Sequence, residues 1–352
     1  KALGSQQLIC TTNFFGDAKS ITLPALTDGD IIDAHNYGRE EDLTRNPRYS
    51  ANLIIGLGSV QVTGKPMTVS EWNIEPFPAR DRFTAPLYTA SIASLQGWDA
   101  MMLYGYSQAP LNGDGNGSNY STFNDPAIIG LMPAAALLYR QNHVLPAKNN
   151  YALSLDRNQF FFNPYNANTS KTIRTLMEIS RVSVTMPNTP ELPWLQENTH
   201  RNSNAMVSNI YDINRDFIPD NQQFVSSDTG ELKRDWMKGI QTINTEKSQI
   251  ASGWIGGEKL SLKSVNFEIQ TPKATVAVQS LENQPIEVSK KIFITAMARS
   301  EPGEGNRLPF YSEPIVGHLE ITAPEGLSLF AITPSGAEGD KLATHYNNGR
   351  TS

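Results

Sequence analysis

The segment Lys65-Pro-Met-Thr-Val-Ser-Glu-Trp-Asn73 constrains this chain most: a short apolar strand that delivers a carboxylate, Glu71, at its end. Two flanking segments share the design, Asp30-Ile-Ile-Asp-Ala-His-Asn-Tyr37 upstream and Gly97-Trp-Asp-Ala-Met-Met-Leu-Tyr-Gly-Tyr106 downstream. Each reads as a strand finished by polar or aromatic side chains: His35 and Tyr37, Glu71, then Tyr104 and Tyr106. In a parallel β/α barrel such strand ends converge on one face, where sites are built.

The alternation of short apolar runs with helical patterns over residues 1–145 is that of βα units and a parallel sheet. Strands are expected over 7–13, 30–37, 66–72 and 99–106. Residues 82–96 read as an amphipathic helix, because their apolar positions recur at three- and four-residue spacing. Asp125 is the expected N-cap of a further helix, with Pro126 at its first position and residues 127–143 as its body.

Eight βα units need about 250 residues, and this region supplies four strands. Four parallel strands cannot close alone, so the region reads as the C-terminal half of a (β/α)8 TIM barrel, strands five to eight. Met67, Val69 and Met102 are expected to face its interior. A second polypeptide or an N-terminal segment is expected to complete the barrel, and the opening on Lys1 in place of Met fits an upstream segment. An open doubly wound sheet is the alternative, although no phosphate-binding turn follows the first strand.

Residues 146–222 read as a connecting segment of mixed structure, with a short helix over 171–179. From residue 223 to 352 the texture becomes all-β, with alternating runs near 223–227, 239–245, 274–280, 291–298 and 326–332 separated by turn residues. This is the pattern of an antiparallel β-sandwich domain.

Composition narrows the partners. The net charge of -6, without a cluster of Lys and Arg, argues against nucleic acid. No run of 18 apolar residues is present, so no membrane-spanning helix is expected. The single cysteine, Cys10, excludes an internal disulfide and a cysteine-based zinc site and reads as a packed thiol. The run Asp114-Gly-Asn-Gly-Ser118 only faintly imitates a calcium loop, since Asn119 stands where glycine is required. No metal and no cofactor are expected.

His35 and Tyr37 are two residues apart and share a strand face, as do Tyr104 and Tyr106. A tyrosine hydroxyl beside Glu71 would hold and stabilise its carboxylate, and the rings of Tyr104 and Tyr106 would form an apolar platform. Asn13, ending its strand, reads as a polar contact or a turn residue. Trp72 reads equally as packing or as platform, because its neighbour Glu71 points to the other side of the strand. Trp98 lies eight residues before Tyr106, about 26 Å along an extended strand, and reads as an anchor at the opposite end.

The three segments resemble the sixth, seventh and eighth strands of clan A glycoside hydrolases, retaining enzymes on a (β/α)8 barrel. The resemblance rests on Val69-Ser-Glu-Trp-Asn73, on His35 and Tyr37, and on Ser94-Leu-Gln-Gly-Trp-Asp-Ala100, which is similar to the strand-eight entry of agarase- and β-galactosidase-like polysaccharide hydrolases. It extends to the β-domain through stretches such as residues 227–236, 291–299 and 313–317.

The resemblance implies a secreted or periplasmic hydrolase of polysaccharide or oligosaccharide. Glu71 would be its nucleophile, with His35, Tyr37, Asn13, Trp72, Asn73, Tyr104 and Tyr106 lining the substrate. Glycoside cleavage needs a second carboxyl group as acid and base. The clan's acid/base Glu ends strand four, which has no counterpart here. Among the spare carboxylates, Glu40 and Glu41 read as a solvated loop and Glu75, in a Pro-bounded loop, as a loop residue or a subsite contact; none reads as the acid. The alternative is a carbohydrate-binding or scaffold protein that does not cleave.

Overall fold

A computed structural model describes residues 4, 6–14, 20–38, 43–108, 110–111, 117–163, 165–166, 168–187, 207–333, 335–347 and 349–352. Glu40, Glu41 and Asp114 lie outside the described residues.

The first part is built on four parallel strands in consecutive order: β1 (Asn13–Phe14), β2 (Ile32–Gly38), β3 (Met67–Ile74) and β4 (Ala100–Leu103). Helix α1 (Leu23–Leu26) lies between β1 and β2, and α2 (Ala85–Gln96) between β3 and β4. After β4 come α3 (Pro126–Ile129) and α4 (Met132–Arg140). Asp125 caps α3 by accepting a hydrogen bond from the Ala127 amide at 3.1 Å, with Pro126 at the first position. The expected single helix is thus two, interrupted at Gly130 and Leu131.

Helix α2 differs from its expected amphipathic character: all twelve of its residues are buried. It lies under the first sheet and against α4, and the second half of the chain closes over it, with Gln241 Nε2 donating to Ser91 Oγ at 3.1 Å. Its end is set by Gly97, whose φ of 65° ends the helix in the left-handed conformation that glycine adopts without a Cβ penalty.

Residues 146–222 hold structure that their sequence conceals. Strands β5 (Asn150–Ser154), β6 (Arg181–Thr185) and β7 (Val207–Ile210) form a second parallel sheet, in the order β6-β5-β7. Helices α5 (Arg157–Phe162) and α6 (Lys171–Leu176) lie between β5 and β6. A parallel bridge between Val62 and Val184 ties this sheet to the first part.

The last part is antiparallel. Strands β8 (Phe224–Ser226), β9 (Leu232–Asp235), β10 (Ile240–Asn244), β11 (Ser248–Gly253), β14 (Ala274–Ser280) and β15 (Ile292–Ala298) form a six-stranded sheet. A five-stranded sheet faces it, made by β12 (Lys259–Ser261), β13 (Val265–Ile269), β18 (Gly317–Thr322), β21 (Tyr346–Asn347) and β22 (Arg350–Thr351). The pairs β16 (Ser300–Gly303) with β17 (Arg307–Ser312), and β19 (Leu329–Ile332) with β20 (Glu338–Leu342), form two smaller sheets. Ala251, Val276 and Val278 of the six-stranded sheet pack against Val265, Phe267 and Ile321 of its partner.

The opposite face of the same six-stranded sheet belongs to the main core. Leu232, Ile243, Ile250 and Ala277 join Phe83, Leu87 and Leu138 there. Two buried ion pairs reinforce the junction. Arg82 donates to Asp125 at 2.6 and 2.9 Å and to the Ser300 carbonyl, and Arg234 donates to Glu178 at 2.7 and 2.5 Å and to the carbonyls of Leu43 and Arg45.

Among the described residues no helix is long and apolar enough to cross a membrane.

Candidate functional site

The site is assembled at the meeting of β2 and β3. The two strands run in register from Ile32↔Met67 to Ala34↔Val69, then slip by one residue so that His35 faces Glu71. The β3–β4 pairing shifts between Val69 and Trp72 as well. Ser70 and Glu71 therefore form a bulge, the device that re-aims side chains beside a site. Without it Ser70 and Glu71 would point to opposite faces. With it both reach the face that carries Asp33, His35 and Tyr37.

On that face Tyr37 Oη donates to Glu71 Oε2 at 2.5 Å, and His35 Nδ1 stands 3.2 Å from the same oxygen. Below them Asp33 accepts from Thr68 Oγ1 at 2.6 Å, from the Ser70 amide at 3.1 Å and from Ser70 Oγ at 2.5 Å. Ser70 Oγ also lies 3.0 Å from His35 Nε2. The Glu71 side chain keeps 27% exposure, against 11% for His35, so the carboxylate is both held and reachable. Burial, and then the hydrogen bond to Glu71, push the Tyr37 hydroxyl well above its ordinary range, and it remains a proton donor at any physiological pH.

Aromatic rings extend the site from Tyr37. Tyr120 packs edge-on to Tyr37 at 6.4 Å and to Tyr104 at 5.7 Å. The Tyr120 hydroxyl donates to Glu75 Oε1 at 3.3 Å, and Gln108 Nε2 donates to the Tyr104 hydroxyl at 2.5 Å. Partial burial, then Glu75, raise the Tyr120 hydroxyl, with a smaller push from Glu71. Two carboxylates thus act on this one ring.

The structure brings together Glu71, His35, Tyr37 and Tyr104, the last through Tyr120. It separates the others. Tyr106 is 58% exposed and packs on Phe123, so Tyr104 and Tyr106 do not make one platform. The reason is that β4 ends at Leu103, before the alternation could align them. Trp72 is buried in the main core, on the side of β3 away from Glu71. Asn73 is also buried, and its side-chain amide donates to the carbonyls of Tyr104 and Asn119, which fixes the loop that carries Tyr104 and Tyr120.

Asn13 begins β1 instead of ending a strand over 7–13. It pairs with Asp33, two strands from Glu71 and on the exposed surface, which places it roughly 10 Å across the sheet. Met67, Val69 and Met102, expected to face the interior of a half barrel, do not: Met67 and Val69 are buried in the main core with Leu87 and Leu95 of α2, on the helix-covered face, and Met102 is exposed. The polar row of Asp33, His35, Thr68 and Ser70 takes the opposite face. Trp98 is buried and donates its indole N–H to Gln61 Oε1 at 3.0 Å.

Sequence reasoning passed over Asp33, Ser70 and Tyr120. Asp33 carried a usable signal, since it is two residues before His35 and shares its face. Ser70 did not, because alternation puts it opposite Glu71 until the bulge intervenes. Among the described residues no cluster of His, Cys, Asp or Glu is arranged to hold a metal ion.

Comparison with family models, with curated proteins and with solved structures gives no match to this chain.

Proposed function

We propose that this chain carries the nucleophile of a retaining glycoside hydrolase acting on a polysaccharide or oligosaccharide. The observation that carries the reading is the grip on Glu71 Oε2 by Tyr37 and His35, which leaves the carboxylate reachable at the C-terminal end of a parallel strand. Two donors to one oxygen orient the group, and the other oxygen, Oε1, is the one suited to attack an anomeric carbon. Tyr37, Tyr104 and Tyr120 supply apolar faces of the kind sugar rings pack against.

The four consecutive parallel strands are read here as half of a (β/α)8 barrel. Their unreversed order favours this over a doubly wound sheet, whose strand order turns back on itself. Among the described residues β1 pairs only with β2, and β4 only with β3, so both edges accept further strands. A second polypeptide or segment would supply them, and with them the acid/base carboxyl at about 5–5.5 Å from Glu71.

Glu75 is engaged with Tyr120 and serves better as a subsite residue. That engagement also favours the second reading, a protein that binds carbohydrate without cleaving it.

Trapping separates the two. A 2-deoxy-2-fluoro glycoside with a good leaving group needs no acid assistance to glycosylate a nucleophile, so the intact chain can be tested directly. Incubation with a panel of such reagents is expected to add one glycosyl mass, mapped to the peptide holding Glu71 and absent in Glu71→Gln. No adduct across the panel, or an adduct on another residue, overturns the reading.

A further inference from the structure

The hydroxyl of Ser70 has one proton, and it points at Asp33: Ser70 Oγ donates to Asp33 Oδ2 at 2.5 Å, while Asp33 also accepts from Thr68 Oγ1 and the Ser70 amide. Toward His35, 3.0 Å away, Ser70 Oγ can then only accept. The proton between them therefore belongs to His35 Nε2. Asp33 Oδ2, at 3.9 Å from the same nitrogen, adds a favourable charge behind it.

That assignment has a consequence at the other end of the ring. A neutral imidazole with its proton on Nε2 presents a lone pair at Nδ1. Here Nδ1 faces Glu71 Oε2 at 3.2 Å. Two lone pairs at that distance repel, so the contact requires a second proton on the line between Nδ1 and Oε2.

We infer that Asp33 and Ser70 are positioning residues that hold His35 protonated at Nε2, so that the His35–Glu71 contact forms only with an additional shared proton. Two sources of positive character, the Tyr37 hydroxyl and this shared proton, then converge on Oε2. Oε2 is thereby fixed as the held oxygen and Oε1 as the free one, and the ring cannot rotate without breaking the Ser70 bond. The bulge is what makes the arrangement possible, because it sets Ser70 and Glu71 on one face at the two ends of a single imidazole. The consequence for attack rests on Glu71 being the nucleophile.

The test is nitrogen NMR on the intact chain with 15N-labelled histidine, the His35 signals being those lost in His35→Gln. In the wild type, His35 is expected to carry its proton on Nε2 and to show Nδ1 protonated or in exchange with Glu71. In Asp33→Asn/Ser70→Ala the ring is expected to turn to the Nδ1–H form, which donates directly to Glu71. Ser70→Thr, which retains the hydroxyl, keeps the wild-type pattern. A wild-type ring with Nδ1–H and a bare Nε2 overturns the inference, as does an unchanged tautomer in the double variant.

The second readout is the rate of fluoroglycoside adduct formation. At saturating reagent the double variant is expected to be about tenfold slower or more with half-saturation unchanged, and Ser70→Thr to be close to wild type. A fall in affinity with no change in rate counts against the positioning role. If the wild type forms no adduct, the nucleophile reading fails, and the NMR result alone decides whether Asp33 and Ser70 set the tautomer.

Discussion

Tyr37 Oη and Glu71 Oε2 meet at 2.5 Å across two parallel strands, although the ladder beyond the bulge pairs Tyr37 with Asn73. The side chain of Tyr37 reaches back along β3 because the bulge has moved Glu71 onto its face. A hydrogen bond to an ionised group contributes about 1.5–3 kcal/mol, and here it orients the one carboxylate on which the proposed chemistry depends.

Tyr37→Phe removes that bond and keeps the ring, including its edge contact with Tyr120. Glycosylation of Glu71 by an activated fluoroglycoside is expected to slow by about tenfold or more, because a carboxylate no longer held by Tyr37 is less often aligned for attack. Thermal stability should change little, since Glu71 retains its contact with His35 and its access to water. Adduct accumulation followed by intact mass gives the rate. A rate within twofold of wild type would show that the Tyr37 hydroxyl does not serve the attacking carboxylate.

The core of the site was legible in sequence because strand alternation and strand endings are local signals. His35 and Tyr37 stand two apart, and Glu71 closes an apolar run. What was hidden is long-range. The bulge at Ser70 leaves no mark on composition. Tyr120 reaches the site because Asn73 holds the Tyr104 and Asn119 carbonyls together, a contact across some 46 residues of chain. The strand β11 showed no alternation because all six of its residues are buried, one face toward the sandwich core and the other toward α2. The β5–β7 sheet was missed because its short strands are separated by helices and loops that dilute any period.

Ile250 tests the shared core. It is fully buried on the face of the six-stranded sheet that belongs to the main core, while its neighbour Ala251 faces the sandwich. Ile250→Ala is expected to cost about 2–5 kcal/mol. If the two parts fold on one core, tryptophan fluorescence and far-UV circular dichroism should shift to lower denaturant together. A shift seen in only one probe would mean that the six-stranded sheet unfolds independently of the helices it covers.

Glu178 and Arg234 form a buried pair, with side chains 5% and 2% exposed, and Tyr88 Oη donates to Glu178 at 3.1 Å. Removing one partner leaves an uncompensated charge in the interior, which costs about 3–5 kcal/mol. Glu178→Ala is expected to lose that much stability in urea. Replacing both residues with methionine should lose distinctly less, because no charge is then stranded. If the single and double variants are equally damaged, the charge stranded in Glu178→Ala costs no more than the Leu43 and Arg45 carbonyls that the double variant leaves without Arg234.

His143 gives the chain a pH-dependent stability. It is 3% exposed, its Nδ1 lies 2.7 Å from Ser248 Oγ, and burial, with a smaller effect from Lys247, lowers it from its ordinary value of 6.5 to about 4. Above pH 6.5 the folded and unfolded chains both hold this ring neutral, and it contributes no slope. Below that point the unfolded chain takes up a proton that the folded chain refuses until about pH 4. The unfolded state therefore binds more protons across this window, and stability falls as pH falls, by up to about 3 kcal/mol at its lower end. His143→Phe removes the titrating group. Unfolding free energies measured from pH 7.5 down to 4 should show the wild type losing stability relative to the variant, with the difference developing below 6.5. Parallel curves for the two proteins would mean that the ring is protonated in the folded state and that the Ser248 contact accommodates the charge.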